Sequence, residues 1–304
     1  MTQPAISVII PTRDRHDSLA AVLDHLYRTG PIAEVIIIDD GSAIPVRFDP
    51  PIQVIRFDRS RGHAAGRNTG ATRASSDILV FLDDDIFPQE EAWSYLLGHL
   101  TEAKHVWAAP RFTDTLAARP APDATVIPQP HLPAAMLVTR RETFNALGGF
   151  DETLTRMVDF DLTYRANSAG HRLLLDMRAL AEHRDRIHTF PEKVQRLHEW
   201  LRIFPRIWEK QQRPVQMLRE VGNEFYFPSA FPRKRSLQRL AHLLQPDWAW
   251  ERFRRCLPHQ EPKQPFGRTF YAIGGARGAL RGFRELSPDA QTALRREAKH
   301  HSVR

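Results

Sequence analysis

Three consecutive aspartates, Asp83, Asp84 and Asp85, follow directly on the wholly apolar run at residues 78–82. Carboxylates held where a buried strand emerges suit a hard divalent cation, which bridges them to a diphosphate and neutralises it as a leaving group. Side chains alternate along a strand, so the first and third aspartates are expected to reach one side together. The alternative is a solvated acidic turn, against which stand the apolar run on one side and Ile86 and Phe87 on the other. Asp39 and Asp40 close a second apolar run, at residues 35–38, bringing five carboxylates to one rim. Crowded in an apolar crevice they would repel one another and rise in pKa unless a cation or hydrogen-bond donors lay among them.

A second constellation is Arg61-Gly62-His63-Ala64-Ala65-Gly66-Arg67-Asn68-Thr69-Gly70, which brings small residues and two arginines to the start of a helix. Helix N-termini and arginines both suit phosphate, although the glycines serve close helix packing equally well. The stretch matches neither the G-x-G-x-x-G dinucleotide fingerprint nor a P-loop, which removes support for a nicotinamide dehydrogenase or a P-loop NTPase. A nucleotidyltransferase needs a glycine-rich triphosphate loop after its first strand, where Pro11-Thr12-Arg13 stands instead.

The elements that must position these groups are legible as an alternation. Short Val/Ile/Leu runs at residues 7–10, 34–38, 53–57 and 78–82 alternate with helical segments at 17–27 and 64–74. Continuous apolar runs mark strands buried on both faces, and the alternation predicts a mostly parallel, doubly wound α/β sheet. In such sheets the ligand lies outside the carboxyl ends of the strands. Further on, residues 92–100 read as a helix, 106–110 and 134–139 as strands, 159–168 as a helix closed by Gly170, and 172–175 as a short strand. Residues 113–133, with Pro120, Pro122, Pro128, Pro130 and Pro133, read as an irregular loop over the site that contacts the acceptor.

The chain has 304 residues, 42% hydrophobic and 26% charged, a globular composition with room for one large α/β domain and an appended region. Its longest apolar runs are strand-sized, far short of the roughly 20 residues a membrane-spanning helix requires. No basic segment precedes an apolar signal core, and one cysteine, Cys256, forms neither an internal disulfide nor a cysteine zinc site. A cytoplasmic location is expected. From residue 190 onward 23 Lys and Arg stand against 11 Asp and Glu, net +12, while the first 189 residues carry −5. Beyond Pro191, Arg-, Trp- and Leu-rich helical stretches are broken near Pro214, Pro228 to Pro232, Pro246 and Pro258 to Pro265. Trp200, Trp208, Trp248 and Trp250 among arginines either pack helices or lie on an anionic membrane surface, raising a lipid-linked acceptor and peripheral contact with the inner membrane face as expectations.

Ser7-Val8-Ile9-Ile10-Pro11-Thr12, Asp39-Asp40-Gly41-Ser42, Gly66-Arg67-Asn68-Thr69-Gly70 and Phe81-Leu82-Asp83-Asp84-Asp85, in this order and spacing, resemble family 2 glycosyltransferases. Gly148-Gly149-Phe150-Asp151-Glu152 and Asp159-Phe160-Asp161-Leu162, with Arg165 and Gly170, extend the resemblance over about residues 5–190. It implies a GT-A fold: a Rossmann-like doubly wound domain at residues 1–190 that binds nucleotide-sugar and catalyses, with a helical basic C-terminal region at 191–304. It also implies an inverting transfer from a nucleotide-diphosphate sugar, UDP- or dTDP-linked, to a hydroxyl acceptor, with Mn²⁺ or Mg²⁺ bridging the donor diphosphate. By position, Pro11, Thr12, Arg15, Asp40, Arg67, Asp83 and Asp84 would hold the nucleotide-sugar. Asp85, with Asp83 and His183, would hold the metal, imidazole favouring Mn²⁺ over Mg²⁺. Asp159 takes the general-base position, with Asp161 the competing candidate because Val158 stands where an acidic residue often precedes the base. His63 and His188 are expected to be incidental. Polysaccharide or other glycoconjugate synthesis is the expected setting, and a nucleic-acid partner is not expected. The competing class is a degenerate transferase kept as a nucleotide- or polyanion-binding protein.

Overall fold

The computed structural model describes residues 5–184, 189–211, 243–244, 246–257, 277–278, 281–282 and 284–292. It falls into two compact units, Met1–Asp185 and Arg186–Arg304. Expected features at His188, Pro214, Pro228 to Pro232, Pro258 to Pro265 and the terminal residues 300–304 lie outside the described residues.

The first unit is built as the apolar runs dictate. Strands β1 (Ile6–Thr12), β2 (Ile32–Asp39), β3 (Gln53–Arg56) and β4 (Ile78–Leu82) are joined by helices α1 (His16–Thr29) and α2 (Gly62–Arg73). They are followed by β5 (Ile86–Pro88), α3 (Glu90–Glu102), β6 (Val106–Thr113), β7 (Val126–Pro128), β8 (Met136–Arg140), α4 (Arg141–Ala146), α5 (Val158–Ser168) and β9 (Arg172–His183). One nine-stranded sheet runs in the order β3-β2-β1-β4-β8-β6-β9-β5, with β7 on β9. The first four strands are mutually parallel, Val8 standing opposite both Val35 and Val80, and β8 is the antiparallel strand between β4 and β6. The chain leaves β1 toward β2 and β3, then returns through α2 to β4 on the other side of β1. That reversal opens a crevice at the carboxyl ends of β1 and β4, where Thr12 and Asp83–Asp85 stand.

The sheet is buried on both faces. Val8 and Ile10 of β1 pack with Leu19, Val22 and Leu26 of α1 and with Trp93 and Leu96 of α3. Ile9 faces the other way, with Ile36, Ile38 and Phe81, against Ala64, Ala65 and Ala71 of α2. The small residues of α2 are what permit this approach: a Cβ on Gly70 would stand 2.3 Å from Ile9 Cγ2, and one on Gly66 would stand 3.2 Å from Pro11 Cβ.

Three expectations need correction. Residues 113–133 are not wholly irregular, since β7 pairs antiparallel with β9, Val126 opposite Asp176. Pro128 ends that strand, where a missing N–H is tolerated. The strand expected at 172–175 continues to His183, because the charges that seemed to end it are internally matched: Asp176 is fully buried and bonded to Arg178 and His99. His183 therefore closes a strand rather than following one. Strand β5 and helix α4 are too short to show a period, and sequence reading passed over both.

In the second unit, α6 (Phe190–Gln211) and α7 (Asp247–Arg255) are the long described helices. Pro246 precedes α7, as expected, and Phe190, Val194, Leu244, Trp250 and Leu257 form its apolar cluster. Among the described residues no helix is long and apolar enough to cross a membrane.

Candidate active site at the β1–β4 crevice

The acidic triplet leaves β4 in a turn closed by Ile86 N–H on Asp83 O at 3.3 Å. The turn ends strand alternation, so Asp83 and Asp85 part. Asp83 pairs with Arg67, a buried residue of α2 whose guanidinium carbon stands 5.5 Å from the centre of the Phe150 ring. Asp85 meets Arg15 Nη1 at 2.9 Å through Oδ2, and His183 Nε2 at 3.6 Å through Oδ1. Asp84 accepts from Thr12 Oγ1 at 2.6 Å and lies 3.3 Å from Arg15 Nε. Pairing of Ile86 with His183 and an Arg184 N–H bond to Asp85 O at 2.9 Å bring the end of β9 to this turn.

Burial dominates the electrostatics. It pushes the Asp84 carboxyl up to about 6, helped by the charges of Asp85 and Asp83 and opposed by Thr12 and Arg15. Asp85 is raised for the same reason, with Asp83 adding to burial and Arg15 and His183 opposing it. Mutual repulsion within the triplet thus adds to burial, and Arg15 offsets part of it.

On the other side of β1, Asp39 and Asp40 are spent on structure. Asp39 accepts from Ser42 N at 2.9 Å and Val46 N at 3.1 Å and pairs with Arg56; burial alone would raise its pKa, and these donors outweigh burial and lower it. Asp40 accepts from Ser60 Oγ at 2.6 Å and from the backbone N–H groups of Arg61 at 2.6 Å and Gly62 at 3.1 Å. It caps α2, occupying the helix N-terminus that sequence reading assigned to phosphate. Asp14, in the left-handed region at φ 54°, ties the β1–α1 loop to this strand end: its N–H donates to Ser42 Oγ at 3.0 Å and its Oδ1 accepts from Ala43 N at 2.7 Å.

Asp159 and Asp161 separate in kind. Asp161 is buried, and its Oδ2 receives Arg165 Nε at 3.0 Å and Nη2 at 2.9 Å. Arg165 in turn holds the carbonyls of Leu147 and Gly149, fixing the turn at Gly148 and Gly149. Asp159 is half-buried, receiving its own helix's Phe160 N–H at 2.9 Å and Ala134 N–H at 3.4 Å. Asp83 N–H bonds Ala135 O at 2.8 Å, so neighbouring residues at the start of β8 hold both the acidic turn and Asp159.

Residues 7–136 match glycosyl transferase family 2. That stretch, which holds Thr12, Arg15, Arg67 and the acidic triplet, is similar to family 2 glycosyltransferases. A pre-mycofactocin glycosyltransferase of Mycobacterium tuberculosis (strain CDC 1551 / Oshkosh) is 32% identical over 202 residues, covering 59% of this chain and 42% of the relative. The chain thus spans about two fifths of that relative's length. GalNAc-T7, solved with UDP, GalNAc and Mn²⁺, superposes with a TM-score of 0.54 at 18% identity, over 61% of this chain and 44% of that one. A mannosyltransferase from Pyrobaculum calidifontis, in complex with GDP-Man and Mn²⁺, gives 0.52 at 15% identity, over 98% of this chain and 80% of that one. The fold is GT-A, as the order of motifs implied.

Within the first unit, Thr12, Arg15, Asp83, Asp84, Asp85 and His183 meet at one crevice, and Pro11 adjoins Thr12 in β1. Among the described residues no three of His, Cys, Asp and Glu stand close enough together to hold a metal ion. The closest approach to the expected set is the pair Asp85 and His183, with Asp83 turned to Arg67. Sequence reading missed the roles of Arg15 and Arg67 as partners of the triplet, and of Ser18, whose hydroxyl donates to Asp84 O at 2.6 Å. The arginines carry no sequence signal for that pairing, since 70 and 16 residues separate each from its aspartate.

Proposed function

We propose that this protein transfers a sugar from a UDP- or dTDP-linked donor to a hydroxyl acceptor, with inversion at the anomeric carbon, in the assembly of a polysaccharide, glycolipid or other glycoconjugate. The observation that carries the reading is the common anchorage of the acidic turn and Asp159 on Ala135 and Ala134, next to the crevice between β1 and β4. Diphosphate-bearing donors and Mn²⁺ in structures of the same fold support the donor class.

In this reading Pro11, Thr12 and Arg15 shape the nucleotide end of the crevice, Asp40 supporting them through its N–H bond to Thr12 O at 2.9 Å, and Arg67, Asp83 and Asp84 shape the diphosphate end. Asp159 is the general base, taking the acceptor hydroxyl proton as that oxygen attacks the anomeric carbon opposite the departing diphosphate. Asp161 keeps α5 and the Gly148–Gly149 turn in place through Arg165. Asp85 Oδ1 and His183 Nε2, 3.6 Å apart, are the carboxylate oxygen and imidazole nitrogen that would hold a borderline-hard cation such as Mn²⁺. Bound there, Mn²⁺ or Mg²⁺ would neutralise the leaving diphosphate. The domain boundary implied is residues 1–190 for donor binding and catalysis, with the basic region from 191 serving the acceptor or its carrier.

Membrane contact is part of the proposal for one reason. On α7 the exposed Trp248, Arg252 and Arg255 recur at helical spacing on one face, opposite buried Trp250, and Trp248 and nearby Leu243 are each 72% exposed. An aromatic and basic face of this kind suits anionic lipid. Sedimentation with phosphatidylglycerol vesicles, lost in Trp248→Ala and Arg252→Glu and absent with phosphatidylcholine, is the expected result. Equal recovery of wild type and variants would remove the membrane from the proposal.

The donor reading is tested by thermal midpoints with UDP, dTDP and GDP, each with and without Mn²⁺, on wild type and Asp85→Ala. A rise that needs both nucleotide and metal and disappears in the variant is expected, followed by turnover of the matching nucleotide sugar. No rise with any nucleotide would shift the case to a degenerate transferase that binds polyanions.

A further inference from the structure

Asp85 divides its two oxygens between a candidate metal partner and an arginine. Oδ1 faces His183 Nε2 at 3.6 Å, while Oδ2 is held by Arg15 Nη1 at 2.9 Å. The same guanidinium stands 3.3 Å from Asp84 Oδ1 through Nε. Arg15 reaches in from the loop between β1 and α1, its side chain 36% exposed, over carboxylates that are 8% and 6% exposed. Its counterpart Arg67 is fixed otherwise: 5% exposed, it pairs with Asp83 and lies over Phe150. One arginine is therefore built into the wall, and the other is placed at the mouth on a side chain long enough to leave.

A guanidinium is permanently charged, and its planar fork matches carboxylates and phosphates alike. A divalent cation on Asp85 would stand a few ångströms from that charge, and the two would repel. We infer that Arg15 is a placeholder for the cation: it holds Asp84 and Asp85 in the donor-free protein and releases them when a diphosphate offers its guanidinium another anionic partner. This rests on the donor reading above and adds to it a rule of binding. Cation and nucleotide bind cooperatively, each alone weakly: the cation alone displaces Arg15 without giving it a new partner, and the diphosphate alone draws Arg15 away and leaves Asp84 and Asp85 uncompensated. The same device keeps a buried acidic pair compensated when the site is empty of donor.

The test is Mn²⁺ titration followed by electron paramagnetic resonance, with and without UDP, and with dTDP and GDP in parallel, on wild type, Arg15→Met and Arg15→Lys. Wild type should bind Mn²⁺ weakly alone, with a matching nucleotide tightening it by about tenfold or more. Arg15→Met should bind Mn²⁺ alone about tenfold more tightly than wild type and show a smaller gain from nucleotide, while Arg15→Lys stays near wild type. The metal-free Arg15→Met protein should melt below wild type and recover with Mn²⁺ alone. Arg15→Gln serves if Arg15→Met does not fold. Mn²⁺ binding to the uncharged variant no tighter than to wild type overturns the inference while leaving the donor reading intact. Absence of Mn²⁺ binding to every protein with every nucleotide removes the donor reading and the inference with it.

Discussion

Thr12 Oγ1 donates to Asp84 Oδ2 across 2.6 Å, joining the ends of two adjacent parallel strands through residues 72 positions apart. Both side chains are buried, and burial has already pushed Asp84 up to about 6, against the pull of this hydroxyl and of Arg15. The bond is thus part of what keeps a buried carboxylate ionised at neutral pH. Thr12→Val keeps the shape and removes the donor, and should destabilise the protein by about 1–3 kcal/mol in urea unfolding at pH 7. Thr12→Ser should recover most of it. A silent Thr12→Val would mean that Arg15 alone compensates Asp84.

Asp159 and Asp161 are two residues apart and should fail in opposite ways. Asp159→Asn removes the proposed base while leaving α5 intact, so turnover should fall by about 100-fold or more with an unchanged thermal midpoint. Asp161→Ala releases Arg165 and the turn at Gly148 and Gly149, and should cost about 2 kcal/mol of stability. The assay is turnover of the matching nucleotide sugar beside urea unfolding of each variant. The reverse pattern would exchange their roles.

Gly70 sets how closely α2 can lie on the sheet. A Cβ there would stand 2.3 Å from Ile9 Cγ2, far inside contact distance, so Gly70→Ala should cost about 1–3 kcal/mol through overpacking despite alanine's better helix propensity. Gly98, in α3, has nothing within 4 Å of such a Cβ, and Gly98→Ala should stabilise by up to about 1 kcal/mol. Because α2 also carries Arg67, the Gly70 variant should bind donor nucleotide more weakly, and the Gly98 variant should not. Paired unfolding and nucleotide titrations decide the point.

What was legible in the sequence followed from uninterrupted physics. Ile78–Leu82 is apolar at every position, so β4 was read with its observed bounds, and Asp83–Asp85 necessarily lay at its carboxyl end. The path of β9 was hidden because Asp176 and Arg178 look like a strand's end until their mutual pairing is seen. Residue type placed Asp40 at the site, but its use as the cap of α2 depends on the backbone of Arg61 and Gly62 arriving beneath it. The parting of Asp83 and Asp85 depends on a turn that one-dimensional alternation does not contain. Elements written in local pattern were readable, and pairings between distant residues were not.

Asp176 makes the fold's acid tolerance measurable. Its side chain is fully inaccessible and accepts from Arg178 N at 3.0 Å, Arg178 Nε at 2.9 Å and Arg178 Nη2 at 2.7 Å, with His99 Nε2 at 2.9 Å. Burial alone would raise its pKa, but these partners outweigh burial and lower it from 3.8 to about 2. A carboxylate depressed on folding binds protons more readily when unfolded, so its contribution is fully present above the unfolded value near 3.8 and is lost as pH falls toward about 2. The difference corresponds to about 2 kcal/mol. Asp176→Asn should therefore be about 2 kcal/mol less stable than wild type in urea at pH 7, and the gap should close between about pH 4 and pH 2. A gap that stays constant across that range would assign the loss to packing between β9 and α3 rather than to the charge.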